Sequence, residues 1–108
     1  MKQTFILPVP PSVNHYLGRT KYGVTLTEKS KEFKDTVRWT VKGMKIDGNV
    51  RMEVKYYRPR RAGDIDGPLK LVQDSLQGIL YENDKQIIEL HVYRFDDKEN
   101  PRIEVTVW

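Results

Sequence analysis

The sequence contains no cysteine, which excludes disulfide bonds, zinc-thiolate sites and thiol nucleophiles. Any metal ion would have to be held by oxygen ligands. The chain also lacks an apolar run long enough to span a membrane, and residues 1–7 are too short and lack the flanks of a secretory signal. These absences predict a cytoplasmic protein with no membrane partner.

The chain is 108 residues long and carries 19 Lys and Arg against 15 Asp and Glu, a formal net charge of +4. This length predicts a single domain, residues 1–108, with one hydrophobic core. The excess of basic side chains and a pI of about 9.3 favour a polyanionic partner. The excess is small, and many basic proteins bind no nucleic acid, so charge alone does not decide the function.

The N-terminal half predicts two strands and one helix. Residues 3–7 form a short apolar strand that the following prolines end, and residues 22–26 alternate like a second strand. Thr27 predicts the N-cap of a helix, and Gly43 predicts its end. The apolar residues that recur at helical spacing are Phe33, Val37 and Val41.

The C-terminal half predicts a strand over residues 50–57, a second helix, and two final strands over residues 87–95 and 102–107. Asp66 can cap the second helix, with Pro68 in its first turn. Its apolar stripe comprises Leu69, Val72, Leu76, Ile79 and Leu80. We expect the last two strands to form an antiparallel hairpin. The order of elements predicts an α+β fold, a small mixed β-sheet with two helices packed on it.

Three carboxylates and a lysine stand close together in the C-terminal half: Asp64, Asp66, Lys70 and Asp84. Residues two apart on a strand point to the same side, so Asp64 and Asp66 can share an ion. Like charges held so close repel one another, and a bound cation relieves that repulsion. Mg²⁺ prefers hard oxygen ligands and keeps positions for water and a substrate phosphate. The cluster therefore predicts a magnesium-dependent phosphodiesterase.

Simpler roles exist for the same residues. Asp is frequent in turns and helix caps, which gives Asp64 and Asp66 a purely structural alternative. Asp74 stands four residues after Lys70 on the predicted helix, a spacing at which the two side chains often form only an ion pair. The lysine and the third carboxylate, Asp84, favour the metal site over these alternatives.

Three spaced motifs occupy residues 10–16 (PPSVNHY), 63–70 (GDIDGPLK) and 81–87 (YENDKQI). Together they resemble the signature of the RusA-type Holliday junction resolvases of bacteria and their phages, whose single small domain also fits the length of this chain. The sequence departs from the family pattern at Gly67, where the family usually carries asparagine. That change removes no carboxylate.

The resemblance implies a homodimer that binds four-way junction DNA and, with Mg²⁺ or Mn²⁺, nicks two strands of like polarity. It implies catalytic roles for Asp64, Asp66, Lys70 and Asp84, with the three acids as metal ligands. Asp74 matches a recurrent acid of the family and is a candidate supporting residue. A bacterial or phage-encoded protein is also implied.

DNA contacts are expected from side chains near the acids. Arg58, Arg60 and Arg61 directly precede the acidic pair and can hold phosphates beside the metal, although a solvated loop is the alternative. Asn14 and His15, in the N-terminal motif, are further candidates for DNA contact. On the first helix, a solvated face is favoured over a second DNA surface for Lys29, Lys31, Lys34, Arg38 and Lys42.

A dimer would give the two symmetric cuts that junction resolution needs, because a two-fold axis relates two active sites. We expect its interface on the last two strands or on the apolar helix. Leu71, off the main apolar stripe, can contact either a partner subunit or its own sheet.

Two other functional classes remain open. A basic DNA-binding protein without catalytic activity would explain the charge, but it has no use for Asp64 and Asp66. A magnesium-dependent hydrolase of free nucleotides would explain the acids, but the sequence has no glycine-rich phosphate cradle.

Overall fold

The chain folds into two β-sheets and two α-helices within the residues that the computed structural model describes: 2–10, 17–20, 23–43, 45–59 and 69–108. The strands are β1 (Gln3–Leu7), β2 (Leu17–Thr20), β3 (Gly23–Leu26), β4 (Val50–Arg58), β5 (Ile87–Asp96) and β6 (Arg102–Val107). The helices are α1 (Glu28–Val41) and α2 (Leu69–Leu76). A short 3₁₀-helix, Asp84–Gln86, precedes β5.

The larger sheet has the strand order β1–β6–β4–β5. β4 pairs in parallel with β5 and antiparallel with β6, and β6 pairs antiparallel with β1. The alternating apolar side chains of β4 and β6 are buried on one face: Val50, Met52, Val54, Ile103, Val105 and Val107. Because β4 and β5 are parallel, the chain between them must cross over, and α2 lies in this crossover. The predicted α+β fold with a small mixed sheet and two helices is confirmed.

The predicted hairpin of β5 and β6 is wrong. The turn between them forms, since the backbone N–H groups of Glu99 and Asn100 donate to Asp97 Oδ1. β4, however, lies between the two strands and pairs with both. The apolar core face of β4 is buried most completely when the strand has a neighbour on each side, which leaves β5 at the sheet edge. Turn residues alone do not determine which strands pair.

α1 follows the prediction closely. The Thr27 hydroxyl accepts a hydrogen bond from the Ser30 N–H at 3.3 Å, as an N-cap should. Gly43, just after the helix, has φ of 81°, a left-handed conformation that glycine adopts without strain. The predicted apolar residues, Phe33, Val37 and Val41, are all buried.

α2 is shorter than its apolar stripe predicts, because it ends at Leu76. Ile79 and Leu80 lie in the turn that follows, where Leu80 is still fully buried. Leu71 is also buried in the core. Of the two contacts expected for it, with a partner subunit or within its own subunit, the structure supports the second. The predicted cap, Asp66, and Pro68 lie outside the described residues.

β2 and β3 form a separate two-stranded antiparallel sheet. β3 confirms the strand predicted at residues 22–26 over its described part, whereas β2 was not predicted. Neither helix in the described parts of the chain is long and apolar enough to cross a membrane.

Candidate active site

α2 presents Lys70 and Asp74 one turn apart. Lys70 Nζ lies 3.3 Å from Asp74 Oδ2, and the Lys70 side chain is 79% exposed against 29% for Asp74. The neighbouring Leu71, Val72 and Leu76 are buried in the core, so packing fixes the backbone of α2. The predicted ion pair therefore forms, and the amine reaches solvent.

The chain after α2 folds back onto the helix. Gly78 has φ of 84°, and its N–H donates to the Tyr81 carbonyl at 2.6 Å, a tight turn that favours glycine. The Tyr81 side chain is buried, and its hydroxyl donates to the Gln73 carbonyl at 2.7 Å. Burial, and then the nearby carboxylates of Asp84 and Asp74, raise the pKa of the Tyr81 phenol. Both carboxylates thus act on one phenol, which the hydrogen bond to Gln73 holds against α2.

Asp84 is the first residue of the 3₁₀-helix, which reciprocal hydrogen bonds hold in place. Asn83 Oδ1 accepts the Lys85 N–H at 2.9 Å. Gln86 Oε1 accepts the N–H groups of Glu82 and Asn83 at 2.8 and 3.0 Å. This arrangement is a capping box, in which two side chains satisfy backbone donors that the helix itself leaves unpaired.

Gln86 also ties this turn to the segment that follows α1. Its Nε2 donates to the carbonyls of Ile46 and Gly48 at 3.2 and 2.8 Å. The Ile46 N–H in turn donates to the Leu80 carbonyl at 2.7 Å. Asp84 itself is exposed. Its backbone is therefore held through its neighbours, while its carboxylate faces solvent.

The donors that this region offers a metal ion are carboxylate oxygens. Within the described residues, no group of three His, Asp or Glu side chains is placed to hold an ion. Two of the three predicted ligands, Asp64 and Asp66, lie outside those residues, and the third is the exposed Asp84. A set of three carboxylates without sulfur fits a hard cation such as Mg²⁺ or Mn²⁺ and does not fit a thiolate-binding metal.

Arg58, a predicted DNA contact, is only 9% exposed, and its Nε donates to Asp96 Oδ1. The two residues are partners in the parallel β4–β5 register, so the ion pair joins the ends of these strands. A DNA contact by Arg58 stays a prediction. The other predicted DNA-binding residues, Asn14, His15, Arg60 and Arg61, lie outside the described residues.

Three residues that hold the site carry no role in the sequence-based predictions: Tyr81, Asn83 and Gln86. Asn83 followed three positions later by Gln86 fits the capping-box pattern, which was a usable signal. No comparable signal exists for Tyr81, because its acceptor, the Gln73 carbonyl, is identified only by the folded chain.

Comparison with known proteins agrees with the motifs. The sequence matches the family described as Endodeoxyribonuclease RusA over residues 8–108. The crossover junction endodeoxyribonuclease rusA of Enterobacteria phage 82 is 26% identical, over 94% of this chain and 89% of the phage protein. Its namesake from Enterobacteria phage HK97 is 30% identical, over 83% and 80%. The uncharacterized protein YqaN of Bacillus subtilis (strain 168) is 30% identical, over 73% of each chain.

The family match includes both described segments of the candidate site, α2 and the 3₁₀-helix with Asp84. The resemblance that the three motifs predict is thereby confirmed. The chain belongs to the RusA endodeoxyribonuclease family.

Proposed function

We propose that this chain is a magnesium-dependent endodeoxyribonuclease that resolves four-way DNA junctions by paired nicks. The observation that carries the proposal is the return of the chain onto α2. Tyr81 donates to the Gln73 carbonyl, so the segment that leads to Asp84 is anchored on α2, the helix that carries Lys70 and Asp74. Family membership supports the endodeoxyribonuclease activity, and the two phage relatives are named for cutting crossover junctions.

Asp64, Asp66 and Asp84 are the proposed metal ligands. Asp64 and Asp66 precede the first residue of α2 by five and three positions in the sequence, and Asp84 follows the return turn. A divalent cation held by these carboxylates, Mg²⁺ or in its place Mn²⁺, would supply charge neutralisation at the phosphoryl oxygens and would make water a better nucleophile at neutral pH. The exposure of Asp84 supports this role, because its carboxylate need not leave the core to meet a ligand.

Lys70 is the proposed contact to the scissile phosphate. A lysine amine is positively charged at neutral pH, and the 79% exposure of this side chain lets it move from Asp74 to a phosphate oxygen. Because the charge on the phosphoryl oxygens grows in the transition state, such a contact stabilises the transition state more than the bound substrate.

The activity is tested with a labelled four-way junction and a matched linear duplex, each incubated with and without Mg²⁺. We expect paired nicks in the junction only with metal, and none from an Asp84→Asn variant, which keeps the shape of the side chain but removes its charge. Asp47→Asn is the matched control, since Asp47 is also an exposed acid and lies between the two carbonyls that Gln86 binds.

Two other outcomes would each replace the proposal. Tight junction binding without any metal-dependent nick would indicate a DNA-binding protein without catalytic activity. Turnover of free nucleotides with no preference for junctions would indicate a nucleotide hydrolase.

The proposed enzyme is a homodimer that associates through β5. This strand is 10 residues long and lies at the edge of the larger sheet. Ile88 and Leu90 are 51% and 38% exposed. Leu90 lies on the core face, because it is the register partner of the buried Met52, whereas Ile88 is the extra residue of a β-bulge. An edge strand with exposed apolar side chains can pair with a second copy of itself. Of the elements predicted for the interface, β6 and the apolar side of α2 are already occupied within the subunit.

A two-fold axis at Leu90 gives the best antiparallel register. It places Leu90 opposite the same residue of the second copy and Glu89 opposite His91. An axis at Glu89 would instead place two carboxylates directly opposite, and like charges in that position are destabilising. The chosen register therefore combines an apolar contact on one face with complementary polar groups on the other.

The absence of cysteine makes this register testable by cross-linking. Oxidation of a Leu90→Cys variant should give a disulfide-linked dimer, because the two residues face each other across the axis. Ile88→Cys is the matched control and should give little cross-linking, since residue 88 lies away from the two-fold axis. A parent protein that sediments as a monomer while it makes paired nicks would overturn the dimer and leave the nuclease proposal intact.

A further inference from the structure

One side of α1 gathers four basic side chains, Lys31, Lys34, Arg38 and Lys42, which we name the basic stripe. Successive residues of an α-helix are rotated by about 100° around its axis. Viewed down that axis, the four side chains lie between about 60° and 140° from the buried Val37. Lys29 lies about 80° away in the opposite sense, on the other flank of the helix. The cations of the stripe thus share one side of α1.

The basic stripe borders the side of α2 that carries the candidate site. Lys34 and Arg38 line one wall of an open cleft of about 380 Å³, and Asp74 and Ser75 line the other. Asp74 is also the residue that pairs with Lys70, at 3.3 Å. The stripe and the proposed phosphate contact therefore both border Asp74, the acid that lines this cleft.

Acidic neighbours neutralise the stripe only in part. Lys31 pairs with Glu28 at 3.5 Å and Arg38 with Asp35 at 3.8 Å, and all four side chains are more than half exposed. Exposed pairs of this kind exchange easily with other ions. In the described parts of the chain, Lys34 and Lys42 have no carboxylate within ion-pair distance.

The net charge argues against a merely solvated face. Glu28 and Asp35 offset only Lys31 and Arg38, so Lys34 and Lys42 leave net positive charge on this side of α1, and Lys34 and Arg38 line a cleft. Trp39 adjoins the stripe and is 74% exposed, with Lys42 Nζ 5.1 Å from its ring centroid. An exposed aromatic ring beside cations is an arrangement that nucleic-acid surfaces use, because bases stack on the ring while the cations hold phosphates.

We infer that the basic stripe binds the phosphate backbone of one DNA arm next to the scissile phosphate. The inference rests on the proposed nuclease function and adds a binding track to it. The helix rises about 16 Å from Lys31 to Lys42, which corresponds to about five base pairs of duplex. Phosphate contacts of this kind position an arm without reading its sequence.

Salt dependence of junction binding tests the inference. Without divalent metal, so that no cleavage occurs, the Lys34→Gln/Arg38→Gln double variant should bind a four-way junction about 10-fold more weakly than the parent. Its plot of log affinity against log salt should be less steep by about 2, because two phosphate contacts are lost. With saturating enzyme and Mg²⁺, the single-turnover cleavage rate should fall by a smaller factor than the affinity, since neither residue touches the reacting atoms.

Single variants test whether junction binding depends on the position of a positive charge on α1 or only on the total charge. Lys34→Gln and Lys29→Gln each remove one positive charge from α1, but only the first should reduce the salt slope. An equal reduction of the salt slope in both variants would overturn DNA binding by the basic stripe, even if the parent still cleaves junctions. A parent that neither binds nor cleaves junctions would instead overturn the proposed function.

A spectroscopic readout gives an independent check. The chain has two tryptophans, so a Trp108→Phe variant leaves Trp39 as the only one. We expect its emission to change when a four-way junction is added, and the change to weaken in the Lys34→Gln/Arg38→Gln background. Emission that is unaffected by saturating junction would overturn a DNA surface beside Trp39.

Discussion

The Asp84 turn and the Lys70 helix are held in place in different ways. The 3₁₀-helix with Asp84 contains no buried residue, and side-chain hydrogen bonds from Asn83 and Gln86 fix it. α2 makes its own backbone hydrogen bonds, and the packing of its apolar side holds it against the core.

This difference matches the reach of the two side chains. An aspartate is short, so its carboxylate meets a metal ion only if the backbone is already in the right place. A lysine has a flexible four-carbon stem, so a fixed helix is enough and the amine can find its phosphate. The Asp84 turn should therefore be sensitive to its neighbours, and Lys70 should be insensitive to them.

The largest effect is expected from Lys70→Ala, which isolates the lysine side of the comparison. Cleavage of a four-way junction should fall by about 100-fold or more, because a contact to the developing charge is lost. Junction binding and thermal stability should stay near parent values, since the side chain is 79% exposed. A variant that cuts at the parent rate would exclude Lys70 from the site.

Substitutions of Gln86 test the Asp84 turn, because Gln86 holds this turn without being a proposed metal ligand. Gln86→Ala should lower the free energy of unfolding by about 1–3 kcal/mol and raise the Mg²⁺ concentration needed for half-maximal cleavage. Gln86→Glu keeps the acceptor for Glu82 and Asn83 but loses the donor to Ile46 and Gly48.

We therefore expect Gln86→Glu to lie between the parent and the alanine variant in both measurements. Lys85→Ala, in the same turn, is the control and should change neither. A Gln86→Ala enzyme with an unchanged Mg²⁺ requirement would show that the turn does not position Asp84.

A smaller effect is expected from Tyr81→Phe, which removes the hydrogen bond that joins the two segments. Chemical denaturation near neutral pH should show a loss of about 1 kcal/mol. Because the folded pKa of Tyr81 is raised, the parent keeps this contribution below the unfolded pKa of about 10 and loses it as the pH rises further. The stability of Tyr81→Phe should fall less steeply above that pH, and an equal slope would contradict the assignment.

The smallest effect is expected from Asp74→Asn. Its pair with Lys70 is exposed on the lysine side, and such pairs contribute about 0–1 kcal/mol. The unfolding free energy should change by less than that of Gln86→Ala, and cleavage should fall less than in Asp84→Asn. A loss of cleavage as large as that of Asp84→Asn would make Asp74 a member of the catalytic set.

Much of the local structure was predictable from the sequence, because it depends on neighbouring residues. Thr27 and Gly43 mark the limits of α1 through their own capping chemistry, and alternation identifies β4. The pairing of strands was not predictable in the same way. β5 and β6 are separated by a true turn, yet β4 lies between them because of long-range burial.

The candidate site divides along the same line. The sequence motifs identify three candidate site residues by type and spacing: Lys70, Asp74 and Asp84. The bond from Tyr81 to Gln73 and the bonds from Gln86 to Ile46 and Gly48 join segments that the sequence does not relate to one another. The identity of the residues was therefore readable, whereas the way the turn is anchored required the fold.

The central position of β6 has a consequence for synthesis of the protein on the ribosome. β6 pairs with β1 on one edge and with β4 on the other, so the larger sheet is incomplete until residues 102–107 have left the exit tunnel. The sheet supports the crossover that carries Lys70 and Asp84, both of which are translated earlier. The proposed site thus gains its complete supporting sheet only after β6 has been translated.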